Sequence, residues 1–210
     1  MQLVGKLIIK SKKKIVSFLN EESTGRIATN DKNGFPQIIP MNFVFLNDAI
    51  YMHSHIRGEK IDNIKRDSKV GFEVDRSLEF LPSYFSDPTD ASLADTLYIS
   101  VVIKGKAILV EDKDEKVVGL NGLMKKYQPE GHYSPMTRDM SVLDHTAVIK
   151  VVPNEMNGKY KIGQNLPKED RTELANQILE RNTKTSRETL EIMGFSIEGE
   201  NAVFRTNVEW

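Results

Sequence analysis

Residues 25–75 alternate short apolar runs with clusters of turn-forming residues: GRIATNDKNGFPQIIPMNFVFLNDAIYMHSHIRGEKIDNIKRDSKVGFEVD. Residues 26–30 read as a first strand. Asp31-Lys32-Asn33-Gly34 follows, and these residues tolerate the positive φ that a tight hairpin turn needs. Residues 37–46 read as one long second strand that is apolar on both faces. Ile39, Met41, Phe43 and Phe45 point to one side, and Ile38, Pro40, Val44 and Leu46 to the other. An antiparallel strand with one face in water alternates apolar with polar residues, so this strand is expected to line a barrel interior and to be covered on its other face. Pro40 cannot donate to a ladder and marks an edge or a bulge. Asn47-Asp48 turns into a third strand over residues 49–54. Gly58-Glu59-Lys60 then opens a short helix with Ile61 and Ile64 as its apolar positions, and residues 69–74 resume the sheet.

Outside this stretch the pattern predicts fewer strands and more helix. Residues 12–22 form a short helix with Ile15, Phe18 and Leu19 on one face; the run Lys12-Lys13-Lys14 reads as its solvated start. Residues 76–95 contain two prolines and many Ser, Asp and Thr residues, which predicts a loop, with Tyr84 and Phe85 in its middle. Loops of that length in compact domains tend to be functional, and these two aromatics either pin the loop to the core or cover a ligand. Residues 97–110 read as a second long strand, with Gly105 at a bulge or barrel bend. Residues 112–127 read as a helix that starts on Asp112 with Glu115 three residues on, a capping-box-like pattern; Val117, Leu120, Met124 and Tyr127 form its core stripe. Residues 128–140 are irregular, residues 146–152 are a last barrel strand, and Asn157-Gly158-Lys159 makes a turn. Two helices follow at 168–181 and 185–193, the second ended by Gly194, and residues 202–208 form a terminal strand.

The chain has 210 residues, enough for one domain or one domain with an appendage, and enough to bury a core without staples. With 29 basic and 30 acidic residues the net charge is −1, so no global field favours nucleic acid or an anionic membrane. Cysteine is absent, which excludes disulfides and thiolate metal sites. The N-terminal stretch MQLVGKLIIKSKKK lacks the pattern of a signal peptide, and no run approaches the roughly 20 apolar residues that span a bilayer. A cytoplasmic protein with neither nucleic-acid nor membrane partners is the expectation.

The chemistry concentrates where the third strand ends. His53-Ser54-His55 is followed by Arg57-Gly58-Glu59-Lys60 at a helix start. Free N–H groups, a glycine that permits close approach, a hydroxyl and two cations can hold a phosphate. Among the four histidines, His53 and His55 lie two apart on a strand and share a side, but two ligands are too few for a closed zinc site, and no metal is expected. A nucleophile elbow, a P-loop and a dinucleotide fingerprint are all absent.

Taken together, GRIAT, DKNGFPQIIPMNFVF, the YMHSH strand end and the GEK helix start resemble the flavin-binding split β-barrels. That group includes pyridoxamine 5′-phosphate oxidase and, still more similar, the nitroimidazole-resistance (Nim) proteins. The resemblance runs from about residue 15 to about residue 159. It implies a mainly β fold, an antiparallel six- or seven-stranded split β-barrel with peripheral helices. Residues 1–160 would be the FMN-binding domain, and residues 161–210 a C-terminal helical extension packed on it. The doubly apolar second strand adds the expectation of a homodimer. By resemblance the cofactor is FMN, held at the dimer interface. Lys60 would bind its phosphate, helped by Ser54, Gly58 and Ser100. The backbone of Pro40, Met41, Asn42 and Phe43 would run along the ring, and His53 would lie at the ribityl or phosphate end. The implied activity is oxidoreduction of a small molecule, such as a nitro-aromatic or quinone-like acceptor, with no catalytic residue assigned. The alternatives are a flavin- or haem-binding carrier or sensor without turnover, and a deazaflavin in place of FMN. The C-terminal arginine and histidine motif with which pyridoxamine phosphate oxidase binds substrate has no counterpart, which argues against vitamin B6 oxidation.

Overall fold

The computed structural model describes residues 5–208, so the first four residues of the N-terminal stretch lie outside it. In chain order the elements are β1 (Ile8–Ile9), α1 (Lys12–Glu21), β2 (Gly25–Asn30), β3 (Pro36–Met41), β4 (Val44–Leu46), β5 (Ala49–His55), α2 (Glu59–Arg66) and β6 (Lys69–Leu81). There follow β7 (Asp95–Val110), α3 (Lys113–Tyr127), α4 (Val142–His145), β8 (Thr146–Lys161), α5 (Lys168–Arg181), α6 (Ser186–Ile192), β9 (Phe195–Glu198) and β10 (Asn201–Phe204). The chain divides into two compact units. One takes Val16–Val74 and Val101–Asn157; the other takes the residues up to Ile15, Asp75–Ser100 and the residues from Gly158 on.

The first unit holds a curled antiparallel sheet of seven strands with flanking helices, a mainly β split barrel, in the order β3-β2-β6-β7-β8-β5-β4. The two ends of that order, β3 and β4, are separated along the chain by Asn42 and Phe43 alone. The single strand expected at 37–46 is therefore two strands. β3 pairs with β2, Met41 opposite Gly25, whereas β4 pairs with β5, Val44 opposite Tyr51. A chain that exchanges one ladder partner for another must leave its ladder, and apolar alternation breaks at the same point: Phe43, Val44 and Phe45 are all buried.

Helix α3 lies on β4 and β5. Val44, Ala49, Tyr51, Val110, Leu120, Leu123, Leu143 and Val148 form one buried cluster. Gly122 makes this approach possible, since a Cβ there would stand 2.3 Å from Leu46 Cδ1. The expected N-cap is present: Asp112 Oδ1 accepts from the Glu115 N–H at 2.7 Å. In the same first turn, Glu115 Oε1 accepts from Tyr51 Oη of β5 at 2.8 Å and Lys150 Nζ of β8 at 2.6 Å, which depresses the carboxyl's pKa; the Lys150 bond is the larger cause.

In the second unit β6 extends to Leu81, beyond the expected 74, so the connection to β7 shortens to residues 82–94 and contains two 3-10 turns. β8 runs on to Lys161. Asn157-Gly158-Lys159 is strand rather than turn, because Gly158 and Lys159 pair with Ile9 and Ile8 of β1. Helices α5 and α6 enclose Leu174, Ala175, Ile178 and Leu190, and β9 and β10 form a hairpin with Phe204 opposite Phe195. The terminal strand ends at Phe204, short of the expected 208. Glu79, 3% exposed, accepts from the hydroxyls of Thr183 at 2.7 Å and Thr185 at 2.8 Å and from Arg181 Nη1 at 3.2 Å. Among the described residues no helix is long and apolar enough to cross a membrane.

Candidate functional site

Helix α2 opens at Gly58, whose φ of 133° and ψ of 161° lie where only glycine is unstrained. A Cβ on Gly58 would meet nothing within 4 Å, so backbone conformation rather than space requires the glycine. An N-cap without a side chain offers no cap, and none is made. The Gly58 carbonyl accepts from the N–H groups of Ile61 and Asp62. Those of Glu59 and Lys60 lie ahead of the helical ladder, where intrahelical acceptors do not reach.

Lys60, half-buried on this first turn, extends toward β3 and brings Nζ to 3.3 Å from Met41 Sδ. That thioether, a weak acceptor, is its one recorded partner among the described residues. Burial holds its pKa below that of an ordinary lysine. The preceding carboxylate, Glu59, is engaged by Gln37 Nε2 at 2.5 Å. Asn63 docks the helix on the sheet: it is 2% exposed, and its Nδ2 donates to Thr29 Oγ1 at 3.1 Å and Gln37 Oε1 at 3.4 Å. Arg66 donates to Asn63 Oδ1 at 2.8 Å and to the Asn30 carbonyl.

The strand end ahead of α2 is polar and mostly exposed. His53 and His55 are exposed and Ser54 is half-buried. Ser54 Oγ donates to the His55 carbonyl at 3.0 Å, and the Arg57 N–H donates to His55 Nδ1 at 3.1 Å. The Ser54 hydroxyl proton is thus engaged locally, while its lone pairs remain able to accept.

The two-residue crossing between β3 and β4 is pinned by the end of α3. Tyr127 Oη accepts from the Phe43 N–H at 2.8 Å. Its own proton lies between the Ser23 carbonyl at 2.5 Å and the Phe43 carbonyl at 3.1 Å. Lys126 Nζ stands 3.7 Å from the centroid of the Phe43 ring and donates to the Leu19 carbonyl at 2.9 Å. Burial lowers the Lys126 pKa to about 8.

Of the nine residues singled out by resemblance, eight lie in the barrel unit. Pro40 is exposed and Met41 half-buried in β3; Asn42 is exposed and Phe43 fully buried in the crossing; His53 and Ser54 end β5; Gly58 and Lys60 begin α2. Met41 and Lys60 touch. Ser100 is half-buried in β7, in the segment assigned to the other unit. Gln37, Asn63, Lys126 and Tyr127 were not legible as site residues. Gln37 shares a strand face with Ile39 and Met41, and a polar residue on that face is a usable signal. Tyr127 reads correctly as core for its ring, but a half-buried tyrosine also needs a partner for its hydroxyl. Among the described residues no three His, Asp or Glu side chains gather into a metal site.

Curled sheet and two-residue crossing define a split-barrel protein. The chain belongs to the Pyridoxamine 5′-phosphate oxidase family, whose model matches residues 11–160. No curated protein matches it. Among solved structures it is similar to a Bacteroides thetaiotaomicron protein assigned provisionally to 5-nitroimidazole antibiotic resistance: 25% identity, 73% of this chain and 86% of that one covered, TM-score 0.62. It is also similar in fold to a conserved hypothetical protein of Mycobacterium tuberculosis (19% identity, 80% and 94% covered, TM-score 0.62). A third, the flavocytochrome Anf3 of Azotobacter vinelandii, matches at 18% identity, 81% and 77% covered, with a TM-score of 0.66.

Proposed function

We propose that this chain is an FMN-binding flavoprotein and an oxidoreductase acting on a small molecule, its site completed by a second copy. The observation that carries the reading is Lys60: a half-buried ammonium on an uncapped helix start, with a thioether where an anion should be. A phosphate would supply the missing charge and accept from the N–H groups of Glu59 and Lys60. Family membership and the flavocytochrome named in the Azotobacter neighbour support a flavin, and the phosphate-ready turn is what points to FMN among flavins.

The chain's own residues divide the work. Lys60 and the α2 start hold the phosphate, and Ile39 and Met41 offer a half-buried apolar surface to the ring. Pro40 has no N–H and the Phe43 N–H is already bound by Tyr127, so Met41 and Asn42 are the candidate donors to the ring's polar edge. When bound, FMN supplies the electron transfer and the protein orients it. The second copy covers β3, an edge strand whose Ile38 is 62% exposed, next to Phe35 at 69%.

Titrating the apo-protein with FMN, riboflavin and haem tests this. FMN should perturb the visible flavin bands and bind more tightly than riboflavin. An unperturbed flavin spectrum together with a Soret shift on adding haem would refute it. Reduction of the FMN complex by NAD(P)H and reoxidation by nitro-aromatic and quinone acceptors then separates an enzyme from a carrier.

A further inference from the structure

The edges of the barrel sheet are joined by two residues without ladder partners, and one hydroxyl serves both backbone groups of the second. Phe43 is fully buried, so its N–H and C=O cannot turn to water; Tyr127 Oη supplies the acceptor for one and a donor within reach of the other. Asn42 is therefore exposed between two held neighbours. On one side Met41 meets Lys60; on the other Phe43 is gripped by Tyr127 through its backbone and by Lys126 over its ring. The grip comes from α3, and the anion-ready turn belongs to α2. Nothing in that arrangement makes the hydroxyl of Tyr127 necessary to the phosphate end.

We propose that Tyr127 is a positioning residue for the flavin ring: by fixing the Asn42–Phe43 crossing it sets where the Asn42 amide meets the ring's polar edge. The inference rests on the flavin reading above. It separates two functions along one short stretch of chain, with affinity for the phosphate set at Lys60 and placement of the ring set at the crossing. A displaced crossing changes contacts common to FMN and riboflavin and leaves the contacts of the phosphate intact.

The test measures FMN and riboflavin dissociation constants, and the visible spectrum of each bound flavin, for wild type, Tyr127→Phe and Asn42→Pro, which removes the Asn42 N–H. Asn42 is exposed, so its variant keeps the test in force if Tyr127→Phe does not fold. Loss of the hydroxyl leaves a buried N–H and C=O unsatisfied, and both flavins should weaken by about tenfold with their ratio preserved. The bound spectrum should move toward that of free flavin. Asn42→Pro should move both readouts the same way, because it deletes the N–H that meets the ring's polar edge. Unchanged affinities and spectra in a protein that binds flavin would overturn this inference alone. A fall in affinity for FMN but not riboflavin would overturn it too, since Tyr127 would then act on the phosphate. Wild-type protein that binds neither flavin would overturn the flavin reading and this inference with it.

Discussion

On the proposed reading, replacing Lys60 separates the phosphate from every other part of the site. Its ammonium is half-buried, its pKa is depressed by burial, and Met41 Sδ at 3.3 Å does not neutralise it. In Lys60→Met the chain length is nearly kept and the contact with Met41 becomes apolar. A charge-assisted hydrogen bond contributes about 1.5–3 kcal/mol, so the FMN dissociation constant should rise roughly ten- to a hundredfold. Riboflavin, which lacks the phosphate, should bind almost as before. The apo-protein should change by no more than about 0.5 kcal/mol, because the variant removes an ammonium with no counter-ion among the described residues. Fluorescence titration at two salt concentrations is the assay, and added salt should narrow the gap between wild type and variant for FMN. Arg57→Ala is the control: Arg57 is exposed one residue before Gly58, and its loss should leave the preference for FMN over riboflavin nearly intact. Ser54→Ala should have only a small effect, since the Ser54 proton is already donated to the His55 carbonyl. Equal weakening of FMN and riboflavin would refute the reasoning, because Lys60 would then support the local fold rather than the phosphate.

Three further outcomes follow from groups outside the phosphate end. Lys126 titrates at about 8 when folded against 10.5 for an ordinary lysine, so the unfolded chain binds more protons between those values and stability rises with pH across that window. Lys126→Met removes this pH dependence; its stability in urea relative to wild type should be higher at pH 7.5 than at pH 9.5, and a constant difference would contradict the assignment. Glu79→Ala removes the buried carboxylate that accepts from the half-buried hydroxyls of Thr183 and Thr185 and from Arg181, which keeps the Phe80 carbonyl, and should cost about 1–3 kcal/mol in urea unfolding. Ile38→Glu on the β3 edge should convert a dimer to a monomer by light scattering at micromolar concentration; a wild-type monomer would refute the self-association reading.

What could be read from the sequence divides by the distance over which each feature is encoded. Helix α5 starts and stops at the residues its pattern predicts, and α3 begins on an Asp112 cap that is satisfied three residues away. The start of α2 is equally local: glycine at a φ no other residue adopts comfortably, and a lysine two residues later. Features that depend on a distant partner were misread in proportion. Asn157-Gly158-Lys159 carries a turn signal, yet pairing with β1, some 150 residues earlier in the chain, keeps it extended. The run from 37 to 46 looks like one strand because Asn42 alone interrupts its apolar residues after Gln37; the competing ladders with β2 and β5 divide it there.

The candidate site straddles this boundary, which explains why half of it was visible. Lys60 announces itself by what surrounds it in sequence. Tyr127 does not, because the groups it serves are 84 residues upstream and its spacing within α3 is that of a core residue. Its ring does pack against the buried cluster, so the core reading is right as far as periodicity reaches. Periodicity reports where a side chain points and says nothing about a hydroxyl at its tip. A position where the ladder must break, however, leaves buried backbone groups that something has to satisfy. The sheet order places that break at Asn42–Phe43, and Tyr127 is the group that satisfies it. On the proposed reading, a crossing held in this way is what a protein that orients a flat cofactor needs.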